Sequence, residues 1–425
     1  MDSTLLSILW VETVFSSSLP FYLSSAYNYS VKKDETISQQ RFIEIVKSLH
    51  SLPSPTLNPP KFIFQLTREA AAYNANILAL SNFNLDKIIR EQHPSQISYG
   101  SEFRPSEQLQ ELLGNHPLWQ SLKIVLDNGA TFPLEEISSS DHAIDISFHA
   151  KRGNHKSALD NHQVLMDIIK EDVESSFALP LPIETLHFKP NASLASLGCM
   201  KQSTLDASGN CVTKHWMTHD QSFPGPSSLS VKIQVQQEKL PPIMHSFVLL
   251  CSIHYILSLR QWHPSTKIFI CKFDIDTAYR RCSFSSKTAF ESLTIFAGLL
   301  LIALRMTFGG VPCPSIWGLV SETITDTGNS LMQNDFWVHT ELYDNISDQI
   351  EPPMSLPDSI PFIQSRELSV KIPHNDKGKV DIYVDDSIGI APDIADIPSR
   401  VIRAIPLAIR TLSRPNSTLD SRLST

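Results

Sequence analysis

Glycine is scarce in this chain, with 14 residues in 425 against 28 prolines. That ratio excludes a collagen-like repeat and argues against one smooth, regular architecture. Basic charge is also short: 35 Lys+Arg against 44 Asp+Glu gives a net −9, so composition as a whole does not advertise a nucleic-acid binder. The six cysteines, Cys199, Cys211, Cys251, Cys271, Cys282 and Cys313, lie 12, 40, 20, 11 and 31 residues apart with no Cys-x-x-Cys pair. Neither a structural zinc site nor a disulfide scaffold is expected from them, only reduced, packed thiols. The apolar run Phe296–Leu304 is about half of the ~20 residues a membrane span needs. Near the start, Leu5–Val11 is apolar, but Asp2 stands where a signal peptide carries basic charge, and Glu12 ends the run. No targeting or membrane segment is expected, and the chain is expected to be intracellular, in cytoplasm or nucleus. The Asn-x-Ser/Thr patterns at Asn28, Asn191, Asn345 and Asn416 carry no weight without secretion.

What is present is enough apolar material for a core. Hydrophobic residues make up 42% and charged residues 19%, which is too apolar for wholesale disorder, and the length gives a soft prior of two to three domains. Charge is unevenly placed. Residues 1–213 hold 16 Lys+Arg and 23 Asp+Glu, net −7, and residues 214–425 hold 19 and 21, net −2. The first half opens Ser-rich and is broken by Ser51-Leu52-Pro53-Ser54-Pro55 and Pro59-Pro60. The alanine-rich stretch Arg68–Ser81 predicts a helix, as does Leu165–Glu174, which stops before the breaker Pro180-Leu181-Pro182.

The second half changes character. His245–Leu259 is long and apolar and reads as a helix, and Lys267–Phe273 is rich in β-formers and reads as a buried strand. Lys287–Leu304 is expected to be helical, Thr307–Pro314 a loop, and Ser315–Leu331 a helix. Residues 345–376 form a Pro-rich acidic excursion, and Lys379–Val384 and Ser387–Ile390 are strands flanking an Asp385-Asp386 turn. A last helix covers Ile397–Leu412.

Three segments carry chemistry when taken together. Phe273–Tyr279 places Asp274 at the end of an apolar strand. Phe308–Pro314 is a glycine loop entering a helix. Tyr383-Val384-Asp385-Asp386 lies in a hairpin. Each alone is ordinary: an Asp-Asp between apolar runs is usually a turn, and glycine in a loop needs no ligand to justify it. Their order and context favour a site in which carboxylates from adjacent strands hold two divalent ions, as nucleotidyl transfer requires.

On these residues the chain resembles reverse transcriptases. Asp274, Ala278 and Tyr279 are similar to the family's motif A, Phe308, Gly309 and Pro314 to motif B, and Tyr383 to Asp386 to motif C. The Tyr-Arg-Arg ending at Arg281 and the loop Gly309–Pro314 look most like retrotransposon-derived polymerases. The resemblance implies an α+β fold: a right-hand palm of antiparallel sheet and packed helices over 263–413, fingers-like residues 181–262, a mostly helical or loop-rich N-terminal region 1–180, and a tail 414–425. It implies two Mg2+ (or Mn2+) ions, a primed RNA or DNA template and deoxynucleoside triphosphates as partners, and no membrane. Asp274, Asp385 and Asp386 would be catalytic metal ligands, with Asp386 auxiliary. Tyr279 would be a steric gate against the ribose 2′-hydroxyl, and Phe308, Gly309, Pro314 and Tyr383 would border the nucleotide.

Two departures accompany the resemblance. Thr218–Pro224 looks like the family's fingers strand, but Trp216 stands where members carry a triphosphate-gripping Arg, leaving Lys214 as the nearest cation. Too few residues follow Asp386 for a thumb. A truncated, inactive remnant and a non-enzymatic nucleic-acid-binding protein are therefore carried as alternatives. Among other residues, Asp276 is expected to take a hydrogen-bonding or solvated role, His215 and His219 to be ordinary loop histidines and Glu322 a solvated-face carboxylate, and Arg280 and Arg281 to contact either template phosphates or the acidic site.

Overall fold

Side-chain caps set the first helices. The structure, a computed structural model, describes residues 37–188, 192–205, 210–242, 245, 248–341, 377–415 and 423–424. The apolar Leu5–Val11 run, the four Asn-x-Ser/Thr asparagines and the excursion 345–376 lie outside the described residues. Ser38, Thr67, Asn84 and Ser138 each accept a backbone N–H of the first turn, satisfying donors that a helix start leaves open. They open α1 (Gln39–Ser51), α2 (Arg68–Leu80), α3 (Leu85–Glu91) and, after α4 (Ser106–Leu113) and α5 (Trp119–Asn128), α6 (Ser139–Arg152). α7 (Lys156–Asp160) and α8 (His162–Glu174) follow, α8 starting three residues before the predicted Leu165.

The Pro180-Leu181-Pro182 segment is not a break. It lies in β1 (Ala178–Pro182), which pairs antiparallel with a later strand, Pro180 facing Leu301. Two prolines are tolerated because β1 is the edge of its sheet, where a missing N–H removes no interior bond. Buried Asn74 of α2 donates to the Pro180 carbonyl at 3.2 Å, tying the edge to the helical layer. β2 (Ser196–Leu205) and β3 (Cys211–Asp220) form a separate two-stranded hairpin. His215 and His219, expected in loops, are on β3, and His219 is buried with neither ring nitrogen hydrogen-bonded. Burial holds it neutral, down to about 3.

After α9 (Val231–Gln234) and α10 (Val248–Trp262) comes β4 (Ile268–Ile275), close to the predicted strand. The expected helix Lys287–Leu304 is instead a short α11 (Ser286–Phe290) and a hairpin, β5 (Leu293–Phe296) and β6 (Leu299–Ala303). Ala297 and Gly298 both have positive φ, the pattern of a two-residue hairpin turn; an apolar run long enough for a helix folds back on itself there. α12 (Cys313–Gln333), β7 (Lys379–Tyr383), β8 (Asp386–Pro392), α13 (Ile397–Leu412) and the two-residue β9 (Leu423–Ser424) complete the order.

The result is an α+β chain with small antiparallel sheets ordered β1-β6-β5, β2-β3 and β7-β8-β4-β9. Val380, Ile382, Phe273 and Ile275 point one way from the last sheet and pack with α12 and α13. Gly389 makes that fit possible, since a Cβ there would lie 2.3 Å from Val401 and 2.7 Å from Cys271 Sγ. Asn329 of α12 closes the β7 edge, its amide bonding both the N–H and the carbonyl of Val380 at 2.9 Å. On the other face α10 covers Ile268, Ile388 and Ile390, leaving the end with Asp274 and Asp386 uncovered by it. One buried apolar cluster runs from Ile43 through Trp119, Phe273 and Trp317 to Leu412. Among the described residues no helix is long and apolar enough to cross a membrane.

Glu322 on α12 is not a solvated carboxylate. It is half-buried, and burial, then repulsion from Asp326 and Asp381, push its carboxyl from the usual 4.5 up to about 8. The folded chain therefore binds this proton more tightly than the unfolded chain, so stability falls as pH rises from about 4.5 towards about 8. Glu322→Gln is expected to match the native chain near pH 5 and to exceed it by roughly 2–4 kcal/mol at pH 9. Urea unfolding at the two values is the measurement, and parallel pH profiles would contradict this assignment.

Candidate metal centre

Strand register brings three carboxylates together. Asp274, next to last in β4, lies directly opposite Asp386, the first residue of β8. Tyr383 pairs with Asp386, so the hairpin turn is Val384-Asp385, one residue earlier than predicted. The Ile275 N–H donates to the Asp385 carbonyl at 3.0 Å, drawing the turn onto the end of β4. One oxygen from each of Asp274, Asp385 and Asp386 lies within 4.8 Å of the other two.

The turn is held against a cost. Val384 has φ 60°, a conformation that β-branched residues rarely adopt. Its carbonyl accepts from Trp317 Nε1 at 2.6 Å, and its N–H donates to His245 Nδ1 at 3.4 Å. Trp317 is fully buried in α12, so the helix that closes the core also fixes the peptide before Asp385.

Electrostatics crowd like charge into the cluster. Burial and then Asp274 and Asp386 push the Asp385 carboxyl up to about 6, and burial and then Asp386 raise Asp274. Two unit charges 4.8 Å apart repel by roughly 3 kcal/mol at an effective dielectric near 20, less where water screens them. The cation already present is Lys272, whose ammonium meets Asp386 at 2.8 Å. Three hard carboxylate oxygens converging on one point suit Mg2+ or Mn2+. The donor set fits such an ion.

The other predicted residues form a rim. Tyr279, half-buried in the turn Ala278–Arg281, stacks on Phe308 at 6.5 Å between ring centroids, and the charge of Asp385 reaches its phenol, which burial pushes up. Phe308 is exposed, its carbonyl accepting from the His219 N–H at 3.0 Å. Gly309 has φ 101°, and a Cβ there would lie 2.5 Å from the His219 carbonyl oxygen. Tyr383 is exposed beside His245, with centroids 6.5 Å apart. Lys214, exposed on β3, is close enough to favour the ionised form of Asp274. Pro314 sits in the first turn of α12, where proline costs no bond, and its carbonyl faces His245. Arg280 and Arg281 do not face outward to a template. Arg280 pairs with Asp172, and Arg281, fully buried, donates to the Asp276 carbonyl and Thr277 Oγ1 at 2.8 Å and pairs with Glu102. Asp276 takes the hydrogen-bonding one of its two expected roles, accepting from Arg281 and so anchoring the turn that carries Tyr279.

Lys272, Trp317 and His245 escaped the sequence reading. Lys272 was findable, because period 2 puts it on the face of Asp274; Trp317 and Val384 are 67 residues apart, and nothing local links them.

Lys272→Met removes a competing cation and is expected to tighten Mg2+ or Mn2+ binding about tenfold; unchanged affinity by calorimetry would mean the ion does not sit at Asp386. Gly309→Ala is expected to cost roughly 2–4 kcal/mol in denaturant unfolding through its backbone conformation and the clash with His219. No protein-family model matches the chain, and no curated protein or solved structure matches it.

Proposed function

We propose that the chain is an RNA-directed DNA polymerase domain of reverse-transcriptase type. The observation that carries the proposal is the convergence of Asp274, Asp385 and Asp386 from adjacent antiparallel strands to within 4.8 Å. The sheet of β4, β7 and β8 with α12 and α13 behind it would be the palm, and the β2–β3 hairpin part of the fingers. Divalent ions at this point would lower the pKa of an attacking hydroxyl and neutralise charge on a leaving phosphate.

The residues then have distinct tasks. Asp274 and Asp385 would hold the ions, and Asp386, shared with Lys272, would add a third acceptor. The oxygen of a primer 3′-hydroxyl would bond to the α-phosphorus of a deoxynucleoside triphosphate as its proton passes to solvent, the bond from that phosphorus to the bridging oxygen would break, and pyrophosphate would leave with that bond's electron pair. Tyr279, held by stacking on Phe308, fills the space beside the sugar, which favours a substrate without a 2′-hydroxyl. Trp317 and His245 keep the Val384-Asp385 peptide in place while the carboxylates carry this charge.

A second reading, a catalytically silent relative, is favoured by one observation: an indole, Trp216, occupies the strand position where the resemblance places a guanidinium. Extension of a primed RNA template by the purified chain with Mg2+ separates the two. Incorporation is expected, and Asp385→Asn is expected to lower it by roughly a thousandfold. Incorporation that survives Asp385→Asn sinks the assignment of the site, while no incorporation alongside intact metal binding supports the silent relative.

A further inference from the structure

Three aromatic rings lead from the β2–β3 hairpin to the carboxylates. The indole of Trp216 lies 6.1 Å from the Phe308 ring at 33°, and Phe308 lies 6.5 Å from Tyr279 at 26°. Trp216 and Phe308 are 40% and 47% exposed, and Met200, opposite Trp216 in the hairpin register, is 57% exposed. Large apolar side chains gathered beside a charged cluster are costly unless something covers them. The indole is also held in place: its N–H donates to Gln202 Oε1 at 2.9 Å, a bond at the ring edge and not on its π-face. Phe308 is held by the His219–Phe308 backbone bond. Lys214 shares the Trp216 face of β3, two residues away, or about 7 Å along a strand, and its charge reaches Asp274.

We infer that Trp216 and Phe308 form a stacking platform for a nucleobase, so that this site holds a nucleotide chiefly through its base, with Lys214 and the ion-binding carboxylates taking the phosphates. The inference rests on the metal-centre reading above and deepens it. The charges fit: an anionic tail points to Lys214 and the ions, and an apolar, flat head to the rings. Base–aromatic stacking tolerates any base because each has a π-face, and it strengthens with ring area. The site therefore favours purine over pyrimidine nucleotides, and both over a bare polyphosphate.

Isothermal titration of the full chain with dATP, dCTP and inorganic tripolyphosphate, each with Mg2+, tests this. The native chain is expected to bind in that order of decreasing affinity. Trp216→Leu is expected to weaken dATP by roughly tenfold or more, the loss of one base–aromatic stack, and to leave tripolyphosphate unchanged. Trp216→Phe, which keeps an aromatic face, is expected to recover most of the loss. Circular dichroism of both variants checks that the hairpin is intact. Equal affinity of the native chain and Trp216→Leu for dATP, or equal losses for dATP and tripolyphosphate, overturns the platform. If Asp385→Asn abolishes tripolyphosphate binding while Trp216→Leu changes nothing, the platform fails and the metal centre stands. If Trp216→Leu loses dATP but neither Asp385→Asn nor removal of Mg2+ matters, the platform stands and the metal centre fails. A native chain that binds neither dATP nor tripolyphosphate overturns both.

Discussion

Three like charges held at the open end of one sheet are the constraint around which the second half of this chain is arranged. Asp274, Asp385 and Asp386 lie close together, and burial first and neighbouring carboxylates second raise the Asp274 and Asp385 carboxyls. The β4–β8 ladder does not yield, because sliding it by one residue would turn Phe273 and Ile275 out of the core. Apolar burial on one face of the sheet thus holds the repulsion on the other. Lys272, whose ammonium lies 2.8 Å from Asp386, offsets part of that repulsion.

The supports for the cluster come from different layers. Trp317 reaches it from the helix behind the sheet and His245 from the segment before α10. Arg281 reaches it through the Asp276–Thr277 turn. Each donates to or accepts from backbone, so the site is located by main-chain bonds and not by its own charged groups. The hairpin β2–β3 works differently. It meets the site through Phe308 and Gly309, where the absence of a Cβ lets the loop lie on the His219 carbonyl. Polar chemistry is thus fixed by the sheet and the aromatic rim by a neighbouring hairpin.

Legibility from sequence followed the range of the interactions. β4, β7 and α13 were readable because each bears a repeating apolar face whose period matches its structure, and the Asp274 and Asp385-Asp386 segments were readable because they interrupt such runs. The stretch Lys287–Leu304 was not, since an apolar run without alternation fits a buried helix and a buried hairpin equally well; the Ala297-Gly298 turn decides it. Prolines at 180 and 182 suggested a break because their tolerance depends on lying at a sheet edge. Glu322 looked solvated because neighbours in sequence do not reveal that packing half-buries it, which raises its carboxyl most, with Asp326 and then Asp381, on a strand far along the chain, adding to it.

By itself the sequence determined the types of β4, β7 and α13, the alternation that turns Asp274 away from the core, and the clustering of acid around two apolar strands. Those properties follow from residue size, polarity and period, which act within a few positions. Tertiary structure alone decided that Asp274 faces Asp386, that Trp317 fixes the Val384 peptide, that Arg281 turns inward, and that Trp216 lines up with Phe308 and Tyr279. These depend on register and packing between segments tens to hundreds of residues apart, where the deciding energies are burial and mutual charge, and neither is a property of any one segment.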